Sequence, residues 1–174
     1  MSSASPTRLR IMRPKIIPNL WFDTEAEAAA DFYVSVFPSS RVTGVTRYPE
    51  GAPREAGMVM TVEWELDGQP FVGINGGPDF SFSEAVSFQI DCADQEEVDR
   101  YWELLTADGG EPGPCGWLKD KFGLSWQVVP TGMDAMLGDG ADPERAQRAM
   151  AAMLKMGKLD IAALHRAADG VPAA

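Results

Sequence analysis

A single histidine and two cysteines stand in a chain of 174 residues, and this scarcity bounds the covalent chemistry open to it. Nucleophilic catalysis by serine needs an imidazole base within hydrogen-bond reach, and a cysteine–histidine pair needs the same base. His165 alone would have to serve, far along the chain from Cys92 and Cys115. Four residues after Ile161 in a helical stretch, it reads better as a helix-surface or interface residue. Cys115 is the more interesting thiol, because it opens the segment CGWLKD and has Lys119 and Lys121 downstream. A thiol becomes a good nucleophile when nearby positive charge lowers its pKa; a structural thiol is the alternative.

Indoles and amides are better represented. Asn19, Trp21, Trp64, Gln89, Trp117 and Gln127 are candidates to line a cavity, since aromatic walls with a few convergent polar groups are how proteins usually hold small molecules. Glu63, if it faced inward, would favour a cationic or amine-bearing ligand, with the rings adding cation–π attraction. For any single tryptophan core filling is the stronger expectation, and Trp64, in phase with Met60 and Val62, is expected there. Trp126 and Gln127 must point to opposite faces of a strand, which leaves Gln127 for the cavity. The candidate ligand-binding set is Asn19, Trp21, Glu63, Gln89, Cys115, Trp117 and Gln127.

The elements that would position these residues come as a repeat. Asn19-Leu20-Trp21-Phe22 reads as a short buried strand ending at Asp23. Thr24 and Glu27 have the T-x-x-E spacing of a capping box. Ala29, Phe32, Tyr33, Val36 and Phe37 then make one apolar stripe, and Pro38 stops the helix. In the second half Ser87-Phe88-Gln89-Ile90 is again a strand ending at an aspartate, and Asp94 with Glu97 repeats the cap. Val98, Tyr101, Trp102 and Leu105 repeat the stripe, and Gly109-Gly110 ends the helix. The two units are offset by 68 to 69 residues, which suggests a duplicated module; chance likeness of two amphipathic helices is the alternative. Met58 to Leu66 alternates with period two, Asp67-Gly68 supplies a hairpin turn, and Phe71 to Asn75 returns. Gly113 to Cys115 and Gly123 to Pro130 are the matching strand candidates around a turn at Lys119-Asp120-Lys121.

Each half therefore reads βαβββ, an α+β chain whose helices back largely antiparallel sheet. The expected organisation is a disordered tail over 1–13, then modules over about 14–78 and 84–130 forming one domain. A helical extension over 131–168 and a short tail over 169–174 follow. In the extension, Asp142-Pro143-Glu144 starts a helix with Pro at its first position. Ala146, Ala149, Met150, Met153 and Leu154 form its expected buried stripe, Gly157 ends it, and Asp160 caps a last helix carrying Ile161 and Leu164. Such a Met-rich segment packs on its own domain or on a second subunit.

Composition narrows the partners. Hydrophobic residues make up 45% and charged residues 24%, as in ordinary globular proteins. The net charge is −11, and residues 1–22 carry Arg8, Arg10, Arg13 and Lys15 without an acid. The remainder has 11 basic against 26 acidic side chains, a net of −15. That balance speaks against nucleic acid, which needs a basic face, and against anionic membrane surfaces. No apolar run approaches the ~18 residues of a membrane span, and the first residues lack the hydrophobic stretch of a secretory signal. A cytoplasmic protein with two reduced thiols is expected.

The segments PNLWFDTEAEAAADFY, FQIDCADQEEVDRYWELL, CGWLKDKFGLSWQVVP and AMLKMGKLDIAALHRA resemble the PhnB-like branch of the vicinal oxygen chelate superfamily. That superfamily includes glyoxalase I, extradiol dioxygenases and bleomycin-resistance proteins, and the branch often carries the label 3-demethylubiquinone-9 3-methyltransferase. The resemblance runs from about Pro14 to Ala168. It implies paired βαβββ units whose sheets curl around a cavity, in a homodimer. It leaves activity open, because one fold hosts many chemistries.

Metal-using relatives in that superfamily place His or Glu on four strands. Here the first strand offers Ile16, Asn19 and Trp21, and the strand Phe71–Asn75 has no ionisable group. Ser87 and Gln89 stand where a histidine would be sought, and Gln127 where relatives carry a ligating Glu. A four-ligand transition-metal site is therefore not expected, nor is another cofactor. An S-adenosylmethionine site typically has a Gly-rich turn opening a helix, and FDTEAE and IDCADQEE have no glycine. Three readings stay open: a metal-free binder of a small organic molecule, a superfamily enzyme with an atypical site, and a dimeric regulatory module.

Overall fold

Alternation of side chains decides the sheets. In Val59–Leu66 (β3) the residues Val62, Trp64 and Leu66 are buried, while Thr61, Glu63 and Glu65 lie half-covered on the opposite face. The computed structural model describes residues 14–138 and 140–171, and the chain divides into units 1–80 and 81–174.

The first unit runs β1 (Asn19–Phe22), α1 (Ala26–Val36), β2 (Arg41–Arg47), β3 and β4 (Gln69–Asn75). Its four-stranded sheet has the order β1-β4-β3-β2, with β1 parallel to β4 and the other pairs antiparallel. The hairpin between β3 and β4 turns on Asp67 and Gly68, at φ +45° and +84°, the positive values a two-residue turn of this kind needs. The second unit runs β5 (Ser87–Cys92), α2 (Gln95–Thr106), β6 (Glu111–Pro112), β7 (Trp117–Lys119) and β8 (Ser125–Pro130). Its sheet has the order β5-β8-β7-β6, again with only the first pair parallel. One topology thus occurs twice, as the repeat predicts, and the chain is α+β with two βαβββ modules.

In the first unit α1 lays Ala26, Ala29, Ala30, Tyr33 and Val36 against the sheet, all buried. Trp64 is the centre of this core, stacked on Phe71 at 5.9 Å and on Tyr33 at 6.1 Å between ring centroids. Gly73 makes the close fit possible: a Cβ there would meet the Trp64 ring at 2.9 Å and the Ala26 Cβ at 3.1 Å. In the second unit Val98, Tyr101 and Leu105 of α2 are buried, as are Ile90, Cys92, Leu118, Trp126 and Val128 of the sheet. Behind β7, Asp120 is buried and accepts hydrogen bonds from the Phe122 and Leu124 amides and the Trp126 indole, at 2.9, 3.1 and 2.8 Å.

Three local expectations need correction. The capping box at Thr24 and Glu27 does not form, because α1 begins at Ala26, one residue further on than that cap requires, and its cap position is Glu25, which makes no side-chain cap. The buried Asn75 side chain, from the end of β4, accepts from the Ala26 amide at 2.8 Å instead. The second cap does form: Asp94 accepts from the Glu97 amide, and the Glu97 carboxylate reaches back to the Ala93 amide, one residue before the cap. Gly113–Cys115 is not strand. Cys115 has φ +56° and Gly116 +84°, so the chain turns there and β7 begins at Trp117.

The third correction concerns the extension, α3 (Met133–Leu137), α4 (Pro143–Met153) and α5 (Ile161–Ala168). Asp142 and Asp160 cap α4 and α5 as expected, with Pro143 in the first turn. Of the expected buried stripe, however, only Ala149 is buried, while Met150 and Leu154 are exposed. The loop after α4 turns away to pair with the β6–β7 loop. The Cys115 amide donates to the Met156 carbonyl at 2.7 Å and the Gly116 amide to Gly157 at 2.8 Å. The Gln95 side chain donates to the Leu159 carbonyl and accepts from the Ile161 amide. Among the described residues no helix is long and apolar enough to cross a membrane. The expected tail at 1–13 lies outside the described residues.

Candidate functional site

In each module one face of the sheet is taken by its helix, and registration across the strands gives the composition of the other. On the first sheet, Asn19, Val72, Glu63 and Gly44 form one cross-strand row, and Trp21, Ile74, Thr61 and Thr46 the next. Asn19, Trp21 and Glu63 therefore share a face. Their side chains have local ties: the Asn19 amide donates to the Ile17 carbonyl at 2.9 Å, and the Trp21 indole donates to the Gly77 carbonyl at 2.8 Å. Phe80 packs edge-on against Trp21, 5.0 Å between centroids. The indole also needs Gly76, where a Cβ would come within 2.1 Å of the ring.

The second sheet brings three more expected residues together. Gln89, Gln127 and Trp117 form one row, and Ser87, Ser125, Lys119 and Glu111 form the next. The Gln127 amide donates to the Ser87 hydroxyl at 2.9 Å, and exposed Gln89 donates to Asp91 at 2.7 Å. Trp126 is buried on the helix side, so Gln127 takes the open face as alternation requires. Cys115 lies off the sheet in the turn before β7 and is only partly buried. His165 is an exposed residue of α5.

Beside this face lies a pocket of about 400 Å³ lined by residues of β6, β7 and their connection, among them Glu111, Pro114, Trp117, Lys119, Ser125 and Glu84. Sequence reasoning included Trp117 and missed the four polar side chains. For Ser125 a signal existed, since it is in phase with Gln127. Glu84 precedes β5 and carried none. The Lys119 ammonium sits 2.5 Å from a Glu84 carboxylate oxygen. Its hydrogen bond to Glu84 raises the lysine pKa and lowers that of the glutamate, and Glu111 adds to the field on Lys119. Ser125 is 1% exposed, and its hydroxyl has no hydrogen-bond partner. A buried hydroxyl left unpaired costs roughly 1–3 kcal/mol, so a ligand group that reached it would recover a hydrogen bond.

The family described as 3-demethylubiquinone-9 3-methyltransferase matches residues 14–129, ending before α3. The PhnB protein from Bacillus cereus is 32% identical, with a TM-score of 0.60, over 68% of this chain and all of its own. A protein from Pseudomonas aeruginosa has the same fold at 16% identity, with a TM-score of 0.55, over 67% of this chain and 97% of its own. No curated protein matches.

The family's label implies a methyl donor and the superfamily a divalent metal, and the residues present can be tested against each. Among the described residues, no three His, Cys, Asp or Glu side chains converge in a way that could hold a metal ion. The open rows carry carboxylates only singly, at Glu63 and Glu111, where dications prefer several imidazole and carboxylate ligands together. The βα junctions have no glycine, and in the first turn the Ala26 amide of α1 is bound by Asn75 and the Glu97 amide of α2 by Asp94. Neither group fits the residues present.

Proposed function

This chain belongs to the 3-demethylubiquinone-9 3-methyltransferase family, the PhnB-like branch of the vicinal oxygen chelate superfamily, and we propose that it binds a small organic molecule, without a metal, on the open face of its second sheet. The observation that carries this reading is the buried Ser125 hydroxyl, which lacks a partner while lining a pocket it shares with Trp117. Aromatic surface, a neutral hydrogen-bonding group and charges at one rim are the parts of a small-molecule site. Gln89 and Gln127, on the neighbouring row, extend it with groups that both donate and accept. In the same reading the protein works in the cytoplasm as a homodimer. Met150 on α4 and Leu154 at its C-terminal cap, both exposed, support the pairing of two copies, and light scattering measures it.

A thermal-shift screen with small apolar, neutral and cationic compounds tests the binding. A compound at 100 times its Kd stabilises the protein by about 2.7 kcal/mol, and the gain should disappear in Trp117→Ala. No stabilisation by any compound, or equal stabilisation of the variant, overturns the reading.

A further inference from the structure

The open row that ends at Ser125 also has a polarity. Glu111, Lys119, Ser125 and Ser87 are direct cross-strand neighbours. Glu111 and Ser125 are thus two strands apart, ~10 Å at the usual spacing. Trp117 lies two residues from Lys119 on the same face. The lysine between the two ends is engaged: its ammonium is held by Glu84 at 2.5 Å. Glu111 has no ion pair among the described residues, so the pocket presents two carboxylates to one ammonium that is already paired. The wider field has the same sign, since residues 81–174 hold sixteen acidic and eight basic side chains.

Resting on the binding reading above, we infer that the ligand is an aromatic amine: a protonated amine toward Glu111, a flat ring on Trp117 and a neutral hydrogen-bonding group at Ser125. An anion would meet the unpaired carboxylate and compete with Glu84 for Lys119. A cation is attracted by Glu111 and, where it passes over the indole, by the ring. The hydroxyl at the buried end sets the length of the ligand, whose neutral group and amine must reach across two strand spacings between Ser125 and the Glu111 side chain.

Tyramine, 4-ethylphenol and 3-(4-hydroxyphenyl)propionate share a phenol and differ in the charge at the other end. Isothermal titration of the full chain with each, at low and high salt, reads the inference. Tyramine should bind roughly fivefold more tightly than 4-ethylphenol, as an exposed ion pair near its upper range allows, and the propionate most weakly. Glu111→Gln should remove the tyramine advantage, and higher salt should shrink it. Ser125→Ala should weaken all three and leave thermal stability unchanged or slightly higher, because it deletes a hydroxyl without a partner. Equal or tighter binding of 4-ethylphenol or the propionate, still sensitive to Ser125→Ala, overturns the amine and leaves the pocket standing. Failure of all three to bind at millimolar concentration, or binding indifferent to Ser125→Ala and Trp117→Ala, overturns both.

Discussion

Replacing Asn75 by alanine tests the most specific structural finding in the first module, that one side chain joins the end of β4 to the start of α1. Asn75 is 1% exposed. Its Oδ1 accepts from the Ala26 amide at 2.8 Å and its Nδ2 donates to the Val59 carbonyl at 3.1 Å. Loss of a helix cap costs ~1 kcal/mol, and a buried polar group deprived of its partner costs roughly 1–3 kcal/mol. With one cap and one carbonyl affected, Asn75→Ala should destabilise by about 3 kcal/mol. In a chain of this size that corresponds to a fall in Tm of roughly 6–12 °C. Asn75→Asp should not rescue it, since it keeps the acceptor for Ala26 but turns an oxygen toward Val59. Thr24→Ala, at the cap position that spacing alone would choose, should change stability by less than about 0.5 kcal/mol. Urea unfolding followed by circular dichroism measures all three. A loss below about 1 kcal/mol for Asn75→Ala, or a larger loss for Thr24→Ala, would refute the reasoning.

Asp120→Ala strips the partner from two amides and the Trp126 indole and should cost about 3 kcal/mol or more, read by urea unfolding together with a shift in tryptophan emission. Gly76→Ala should displace the Trp21 ring, whose nearest atom stands 2.1 Å from the added Cβ; a stability loss of roughly 1–3 kcal/mol and altered near-ultraviolet dichroism are the expected signs. The Cys92 thiol is pushed up to about 12 by burial, with the carboxylates of Glu97, Asp91 and Asp94 adding to it. Iodoacetamide at pH 8 should therefore spare Cys92 in the native protein, as peptide mass spectrometry would report. The unfolded thiol ionises near 9.0 while the native one stays protonated to about 12, so this contribution to stability is full below pH 9 and lost as pH rises between those values. Cys92→Ala should flatten that alkaline decline in a series of denaturant melts, and an unchanged slope would count against the assignment.

The sequence was most legible where signals are local. The apolar run of β1, the period of β3, the Asp67-Gly68 hairpin and the caps at Asp94, Asp142 and Asp160 all act over a few residues. The α1 cap was hidden because its acceptor, Asn75, is 49 residues from the amide it serves, and a spacing rule cannot see a partner supplied through tertiary structure. Met150 and Leu154 followed the helical period of a buried face, but a hydrophobic stripe records what a helix can bury and not what is there to cover it. The candidate site was legible in part for the same reason. Alternation put Gln127 opposite Trp126, yet the Lys119–Glu84 pair depends on where the segment before β5 lies.

The duplication explains why the second half was harder to read and why its open face differs. Trp21 and Gln89 are 68 residues apart, whereas their cross-strand partners Ile74 and Gln127 are only 53 apart. The second module is therefore fifteen residues shorter between equivalent strands, with a two-residue β6 and a three-residue β7 that scarcely show a period. Register makes the row Asn19, Val72, Glu63 and Gly44 the counterpart of Ser87, Ser125, Lys119 and Glu111. Along it, apolar Val72 answers to the unpaired Ser125 hydroxyl, and Glu63 to a lysine. The helix-facing positions are apolar except where a polar group is fully partnered, as Asn75 is by Ala26 and Val59, because burial without a partner is penalised. Only the open rows were free to diverge in charge and hydrogen bonding. In the proposed reading the side chains that recognise a ligand belong to those rows, and the second sheet's is the row with a buried hydroxyl still without a partner.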